Sequence, residues 1–314
     1  MTIMSMFFNS AGRLRSGWRF AVFLAAFLIA GVFVGGAAAA ALYKFPGALT
    51  PDSAEFLIAN ALISFVITLL VSWLCIKFLE GLPFRALGMW VTGGWLKHFL
   101  IGLIVGGATL AFAALIGSVF GGLNFTFDAQ VTTNAILETM AASFLVFAVA
   151  AAFEEIMFRG YILQTFSRAG LSGFAVFLTA ILFASVHNAN PGVTLLSWVN
   201  TFLAGIWLAT AWLKTRDLWL AFGLHLAWNW TQGAIFGVEV SGLTDIVKAP
   251  LMKEIDNGPT WVTGGDYGIE GGIACTIAIT ISVVLIYFVP GIRPAEELLA
   301  FSSKENPLLS TENG

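Results

Sequence analysis

Long apolar runs recur along the whole chain and constrain its fold more than any other feature. A hydrocarbon core about 30 Å thick is crossed by about 20 helical residues. Of the 314 residues, 58% are hydrophobic and only 11% are charged, against roughly a quarter charged in soluble domains. We therefore predict an all-α, polytopic membrane protein with eight transmembrane helices. Their predicted ranges are 18–42, 57–79, 98–120, 136–165, 172–190, 193–213, 217–237 and 271–290.

Lysine and arginine residues predict the orientation of these helices. Cytoplasmic loops of membrane proteins carry an excess of both residues. With the N-terminus in the cytoplasm, twelve of the fifteen fall on or toward the inner side. Only Lys44, Lys248 and Lys253 fall outside. This bias predicts that both termini are cytoplasmic, which requires an even number of spans.

The domain organisation follows from the same runs. We divide the chain into a cytoplasmic N-terminal segment, 1–17, a transmembrane domain, 18–290, and a cytoplasmic C-terminal tail, 291–314. The longest hydrophilic stretch, about 238–270, contains Gly, Pro and scattered charges and is predicted to be an external loop.

Some features indicate packing rather than chemistry. Gly102 and Gly106 have the GxxxG spacing that lets a neighbouring helix approach closely. Cys75 and Cys275 lie in different spans toward opposite faces, which predicts two small buried side chains without a disulfide or metal pattern. We attribute His98, which follows a lysine at a helix start, to a position at the membrane interface.

A few ionisable residues fall inside predicted spans, where a charge costs at least a few kcal/mol. These residues are Glu154, Glu155 and Arg159 in the fourth span, His187 in the fifth and His225 in the seventh. Because ionisable residues within spans are usually functional, we treat these five as candidates for a functional site.

Helical spacing separates the roles of the two glutamates. Glu155 and Arg159 are four residues apart on one helix face, so the guanidinium can hold the carboxylate ionised. A buried pair of this kind also fits a purely structural role. Glu154 points about 100° away, which leaves its carboxylate free for chemistry.

The same spacing pairs the remaining polar residues. His225 and Asn229 project from one face of the seventh span and can act together as hydrogen-bond donors, and Phe183 and His187 are also four residues apart. Counted from the predicted inner ends of their spans, Glu154 and His187 lie about 21 and 22 Å deep, but His225 only about 12 Å. Helix tilt can close this gap, so the three spans can share one site.

Three motifs on separate spans resemble those of a known family. They are Glu-Glu-x-x-x-Arg at 154–159, Phe-x-x-x-His at 183–187 and His-x-x-x-Asn at 225–229. In this order the sequence is similar to the CPBP intramembrane proteases, also called the CAAX-protease (CAAX prenyl protease 2-like) or ABI family. Residues 15–19 and 84–88 carry weaker signals of the same resemblance.

This resemblance implies an intramembrane endopeptidase. Peptide hydrolysis needs an activated water, oxyanion stabilisation and a proton for the leaving amine. We assign Glu154, assisted by His187, as the general base that later protonates the amine. His225 and Asn229 are assigned as donors to the oxyanion. The supporting residues are Glu155, Arg159 and Phe183, the first two orienting the Glu154 carboxylate.

The alternative chemistry is a zinc site. Two histidines and a glutamate can bind zinc, and the ligands would then be Glu154, His187 and His225. The sequence has no His-Glu-x-x-His helix. We therefore favour a glutamate-type protease without a cofactor and assign no metal ligand.

Two other functions remain open at this point. Buried Glu, His and Arg also build transporters and proton pathways, although the chain has no clear internal repeat. A member of the family without catalysis would act as an immunity or scaffold protein. For the protease, the expected partners are membrane proteins or lipidated peptides and membrane lipids, with no nucleic acid. The expected location is a bacterial plasma membrane.

Overall fold

The computed structural model describes residues 3–9, 12–44, 54–243 and 246–302. Helices make up most of these ranges. The helices are α1 Ile3–Phe7, α2 Ser16–Lys44, α3 Ala54–Leu79, α4 Trp95–Gly121, α5 Thr133–Arg168, α6 Ser172–Val186, α7 Leu195–Thr215, α8 Trp219–Trp230, α9 Thr260–Thr263, α10 Ile273–Phe288 and α11 Glu296–Ser302. Short 3₁₀ turns lie at Phe84–Leu87, His187–Ala189, Gly265–Tyr267 and Ile269–Gly271.

Each predicted span corresponds to one of these helices. Among the described residues, six helices are long and apolar enough to cross a membrane. These six are α2 to α7, the fifth of them with its 3₁₀ turn. The helix α8 has 12 residues before a π-helical turn of 5, and α10 has 16. The chain is therefore a polytopic all-α membrane protein. The number of spans and the cytoplasmic location of both termini stay predictions.

Close packing of α4 against α8 confirms the GxxxG interpretation. A Cβ atom added at Gly102 would lie 2.5 Å from the carbonyl oxygen of Leu220, and one at Gly223 would lie 2.5 Å from that of Phe99. A side chain at either glycine would therefore force the two backbones apart. This contact fixes α8, which carries His225, against α4.

The interpretation of His98 as a membrane-interface residue is wrong. His98 is buried, and its Nδ1 atom lies 2.6 Å from Oδ2 of Asp217. The other oxygen of Asp217 accepts a hydrogen bond from the backbone N–H of Trp219, at 3.1 Å. Because burial of a histidine and a carboxylate requires each to be paired, this contact ties the start of α4 to the start of α8.

The predicted external loop is more ordered than its composition suggests. It contains β2, Lys253–Asp256, which pairs antiparallel with β1, Leu123–Thr126. It also contains α9 and two of the 3₁₀ turns. Strands of four residues that pair across more than a hundred residues leave no periodic signal, so the sequence analysis did not find them.

The described part of the C-terminal tail packs on the helix bundle. Leu298 and Phe301 of α11 are buried, and the carbonyl of Phe301 accepts a hydrogen bond from Arg168 Nη1 at 3.1 Å. Residues 303–314 of this predicted tail lie outside the described residues, as do residues 1, 2, 10 and 11 of the predicted N-terminal segment.

Candidate active site

The long helix α5 changes its winding immediately after the two glutamates. A π-helical turn, Ile156–Ile162, separates the α-helical part that ends at Glu155 from the part that begins at Leu163. Turns of this kind are rare and often occur at functional sites. The spacing of the apolar residues gave no sign of it.

The expected pair between Glu155 and Arg159 is present on this turn. Arg159 Nη1 lies 3.0 Å from Oε1 of Glu155, and both side chains are fully buried. Arg159 Nη2 donates to the carbonyl oxygen of Gly205 at 3.1 Å, and the guanidinium lies 4.6 Å from the centre of the Phe183 ring. The pair therefore connects α5 to both α6 and α7.

His225 lies between the two glutamates. Its Nδ1 atom is 2.9 Å from Oε1 of Glu155, and its Nε2 atom is 3.8 Å from Oε2 of Glu154. Because a carboxylate only accepts hydrogen bonds, Nδ1 carries a proton when Glu155 is ionised. Sequence reasoning placed Glu155 behind Glu154 and did not find its bond to His225.

The carboxylate of Glu154 is the more accessible of the two. Its side chain is 21% exposed, whereas that of Glu155 is 0% exposed. Among the described residues, Glu154 Oε2 has no hydrogen-bond partner, although the atom itself is buried. Such an atom requires a partner to offset its desolvation, and water or a substrate group can supply it.

His187 lies at the C-terminal end of α6. Its Nδ1 atom is 2.6 Å from the carbonyl oxygen of Phe183. A carbonyl only accepts, so this bond requires the proton on Nδ1 and leaves Nε2 of the neutral ring as an acceptor. The Phe183 ring lies beside both histidines, 4.9 Å from the ring of His187 and 5.8 Å from that of His225.

One cavity of about 130 Å³ is lined by all four residues that were assigned to catalysis. They are Glu154, His187, His225 and Asn229. Phe183 lines it too, whereas Glu155 and Arg159 lie outside its lining. The remaining wall is largely apolar and comes from α5, α7, α10 and the segment after α8.

The comparison with known families bears on these same residues. Residues 134–231 match the family model described as type II CAAX prenyl endopeptidase Rce1-like. The match includes all three motifs. These residues therefore resemble the CPBP or CAAX family of intramembrane proteases, and that family acts on membrane-associated peptides. No curated protein matches the chain.

The packing of α5 against the start of α8 explains the unequal depths estimated from the sequence. Gly160, and not Arg168, lies level with the start of α8, because a Cβ atom at Gly160 would be 3.4 Å from a methyl group of Leu218. Glu154 lies six residues above Gly160 and His225 seven above Leu218, or about 9 and 11 Å. The part of α5 between Gly160 and Arg168 extends beyond the N-terminal end of α8.

Several polar residues of the cavity wall were missed by sequence reasoning. They are Asn190, Asn200, Thr201, Ser241 and Glu270. Ser241 and Glu270 belong to the predicted external loop, where charged and polar residues are expected and therefore do not indicate a site. Asn200 lies within the sixth predicted span, so a search for buried amides as well as ionisable groups would have found it.

The zinc alternative stays a prediction. A histidine whose Nδ1 is hydrogen-bonded can still bind metal through Nε2, so the two ring bonds alone leave zinc open. Among the described residues, no three His, Cys, Asp or Glu side chains are arranged to hold a metal ion, including Glu154, His187 and His225.

Proposed function

We propose that the chain is an intramembrane endopeptidase of the glutamate type. The observation that carries the proposal is the convergence of Glu154, His187, His225 and Asn229 on one cavity. A buried oxygen of Glu154 there has no hydrogen-bond partner among the described residues. We further propose that the enzyme works without a metal and lies in a bacterial plasma membrane.

The first step is activation of water. A water molecule beside Oε2 of Glu154 can donate one hydrogen to that oxygen and the other to the free Nε2 of His187. Glu154 takes the proton as the hydroxide attacks the carbonyl carbon of the substrate. The nearest histidine donor, His225 Nε2, lies 3.8 Å from this oxygen of Glu154, which is too long for a hydrogen bond and leaves the oxygen available to water.

The second step is stabilisation of the oxyanion. His225 donates from Nδ1 to Glu155, so it can donate from Nε2 to an oxyanion only as an imidazolium. The carboxylates of Glu154 and Glu155 lie 3.8 Å from Nε2 and 2.9 Å from Nδ1 of the ring, so both can pair with that charge. Asn229 supplies the second donor from the next turn of the same helix. Collapse of the intermediate then breaks the C–N bond, and the proton held by Glu154 passes to the leaving amine.

Glu155 and Arg159 support these steps from outside the cavity. Glu155 fixes the orientation of the His225 ring, and Arg159 neutralises the buried carboxylate. Their sequence-based role, to orient Glu154, would then operate through His225 rather than by direct contact.

The experiment is cleavage of a panel of quenched-fluorescent peptides, including lipidated C-terminal peptides, by the purified protein in lipid nanodiscs. We expect cleavage by the wild type, loss of about 10²-fold to 10⁴-fold in Glu154→Ala, and full activity in Glu138→Ala. Glu138 is an exposed carboxylate on the same helix and serves as the matched control. A chelator is expected to leave the rate unchanged.

Other outcomes would overturn parts of this proposal. Inhibition by the chelator, with recovery on adding zinc, would contradict the metal-free mechanism. Equal activity of wild type and Glu154→Ala would remove Glu154 from catalysis. A partner that binds Glu154→Ala and wild type alike, with no peptide cleaved by either, would support the scaffold alternative instead.

A further inference from the structure

The cavity has a second carboxylate that none of the three motifs includes. Glu270 accepts a hydrogen bond on Oε1 from the indole N–H of Trp228, at 3.0 Å. Its other oxygen, Oε2, accepts two hydrogen bonds from Ser241, one from the backbone N–H at 2.6 Å and one from the hydroxyl at 2.8 Å. Glu270 therefore joins α8 to the segment that follows it.

The backbone of Glu270 is itself held in place. The side-chain amide of Asn200 on α7 donates to the carbonyl oxygens of Glu270 and Gly272, each at 2.8 Å. The amide oxygen of Asn200 accepts a hydrogen bond from the hydroxyl of Thr276 on α10 at 2.5 Å. The carboxylate thus extends from a rigid support between two helices.

Ser241 lies in a tight turn that needs such an anchor. Val240 and Leu243 close the turn through reciprocal backbone hydrogen bonds of 3.4 and 2.9 Å. Ser241 and Gly242 between them have φ angles of 51° and 77°, the left-handed pair of a type I′ turn. Glycine adopts this conformation freely but serine does so at a cost, which the two hydrogen bonds to Glu270 offset.

The turn forms part of the cavity wall. Val240, Ser241 and Leu243 all line the cavity, and Trp228, the other partner of Glu270, lies in the chain directly before Asn229. The position of one carboxylate therefore fixes an apolar part of the wall on one side and the helix turn carrying Asn229 on the other.

We propose that Glu270 is a positioning residue that determines specificity. It holds the Val240–Leu243 turn as the wall against which an apolar side chain of the substrate packs. This inference rests on the proposed peptidase function. Glutamine has a single acceptor oxygen, so in Glu270→Gln either Trp228 or Ser241 must face an amide N–H and lose its hydrogen bond.

Two measurements on the full-length protein in nanodiscs test this inference. The first is the ratio of kcat/KM for two peptides that differ only in the size of one apolar residue near the cleaved bond. We expect Glu270→Gln to change this ratio by about tenfold or more, since misplacement of a substrate by about 1 Å can cost 10²-fold. A merely structural defect would lower both rates by one factor and leave the ratio unchanged.

The second measurement is hydrogen exchange of the segment 238–243, which needs no activity. We expect the Ser241 amide to exchange at least about tenfold faster in Glu270→Gln, because hydrogen bonds to charged groups are among the stronger ones. Ser241→Ala removes only the hydroxyl bond and should show a smaller shift in the same direction. If Glu270→Gln does not fold, Ser241→Ala carries the test. Asp266→Asn changes an exposed carboxylate of the predicted external loop, four residues before Glu270, and is the matched control.

The outcomes separate this inference from the proposed function. An unchanged peptide ratio in active Glu270→Gln, or unchanged exchange of the turn, overturns the inference and leaves the peptidase intact. An inactive wild type with exchange that still depends on Glu270 contradicts the peptidase and supports the anchoring of the turn.

Discussion

Two carboxylates are fully buried against arginines, and they lie in very different surroundings. Glu155 contacts Arg159 and His225 beside the cavity. Glu80 follows α3, accepts hydrogen bonds from Arg168 Nε at 2.7 Å and from the hydroxyl of Thr165 at 2.5 Å, and lies outside the lining of that cavity.

The difference teaches what a buried ion pair does and does not indicate. In both places the cost of burying the carboxylate is offset by charge and by hydrogen bonds. Of the two, only Glu155 also holds a group that lines the cavity, the ring of His225. A buried charge in a membrane protein is costly, and this cost singles out both groups of residues: Glu155 with its partners, and Glu80 with its partners, here called the Glu80 cluster. Contact with the cavity is what distinguishes a candidate site from a purely structural ion pair.

The largest expected effect is the loss of stability on removing the arginine that pairs with Glu155 or the one that pairs with Glu80. Arg159→Gln and Arg168→Gln each leave a buried carboxylate short of its main partner, which typically lowers the free energy of unfolding by about 3–5 kcal/mol. The effect in the Glu80 cluster should be the smaller one, because Arg19 also lies 3.7 Å from Glu80.

Specific activity separates the two variants. Arg159→Gln should lower kcat per folded molecule, since the orientation of His225 depends on Glu155, whereas Arg168→Gln should keep it. Unfolding in an SDS titration and peptide cleavage normalised to the folded fraction measure both effects. An equal loss of kcat in the two variants would contradict the distinction between site and anchor.

Asn229→Ala should come next. Loss of one oxyanion donor lowers kcat by about 10²-fold to 10³-fold, with little change in thermal stability because the side chain is only partly buried. Asn190→Ala is the matched control, since this amide lines the same cavity outside the motifs. We expect it to lose less than about tenfold. Full activity in Asn229→Ala would remove it from the oxyanion site.

A smaller effect is expected for Thr165→Val. The substitution keeps the shape of the side chain and removes one hydrogen bond to Glu80, typically worth about 1.5–3 kcal/mol when the acceptor is charged. The unfolding transition should shift while kcat stays at the wild-type value. A change in kcat without a shift in unfolding would connect the Glu80 cluster to catalysis.

The smallest expected effect is a pH dependence in the local stability of the paired strands β1 and β2. Burial, with the nearby Glu239 and Asp256, raises the pKa of Glu254 from 4.5 to about 8. The contribution of protonated Glu254 to the free energy of unfolding is therefore fully present below pH 4.5, and it is lost as the pH rises through about 8. Hydrogen exchange of residues 253–256 should accelerate between pH 6 and pH 9, after correction for intrinsic rates. In Glu254→Gln this added dependence should vanish, and its persistence would exclude Glu254 as the cause.

The parts of the fold that were predictable from the sequence are those with local periodicity. Apolar runs located the helices, and four-residue spacing predicted the pair of Glu155 and Arg159. The spacing of Gly102 and Gly106 predicted the approach of another helix. The three motifs contain five of the residues that line the cavity, Glu154, Phe183, His187, His225 and Asn229.

The parts that were not predictable depend on partners distant in the chain. Glu80 lies one residue beyond a predicted span, so it was not tested as a buried charge. The bond between Glu155 and His225 joins residues 70 positions apart, and Glu270 meets Ser241 only through the fold of the loop. Sequence spacing cannot report such contacts, because it describes one helix at a time.

The π-helical turn after Glu155 lets the parts of α5 before and after it face different neighbours. An extra residue in one turn rotates everything below it by about 100° relative to an unbroken α-helix. The part of α5 that ends at Glu155 can therefore direct Glu154 into the cavity, while the part that begins at Leu163 directs Thr165 and Arg168 toward Glu80. Deleting a single residue within Ile156–Ile162 would therefore move one of these two sets of side chains away from its neighbours. This one turn sets the angle between the candidate site and the contacts of Glu80.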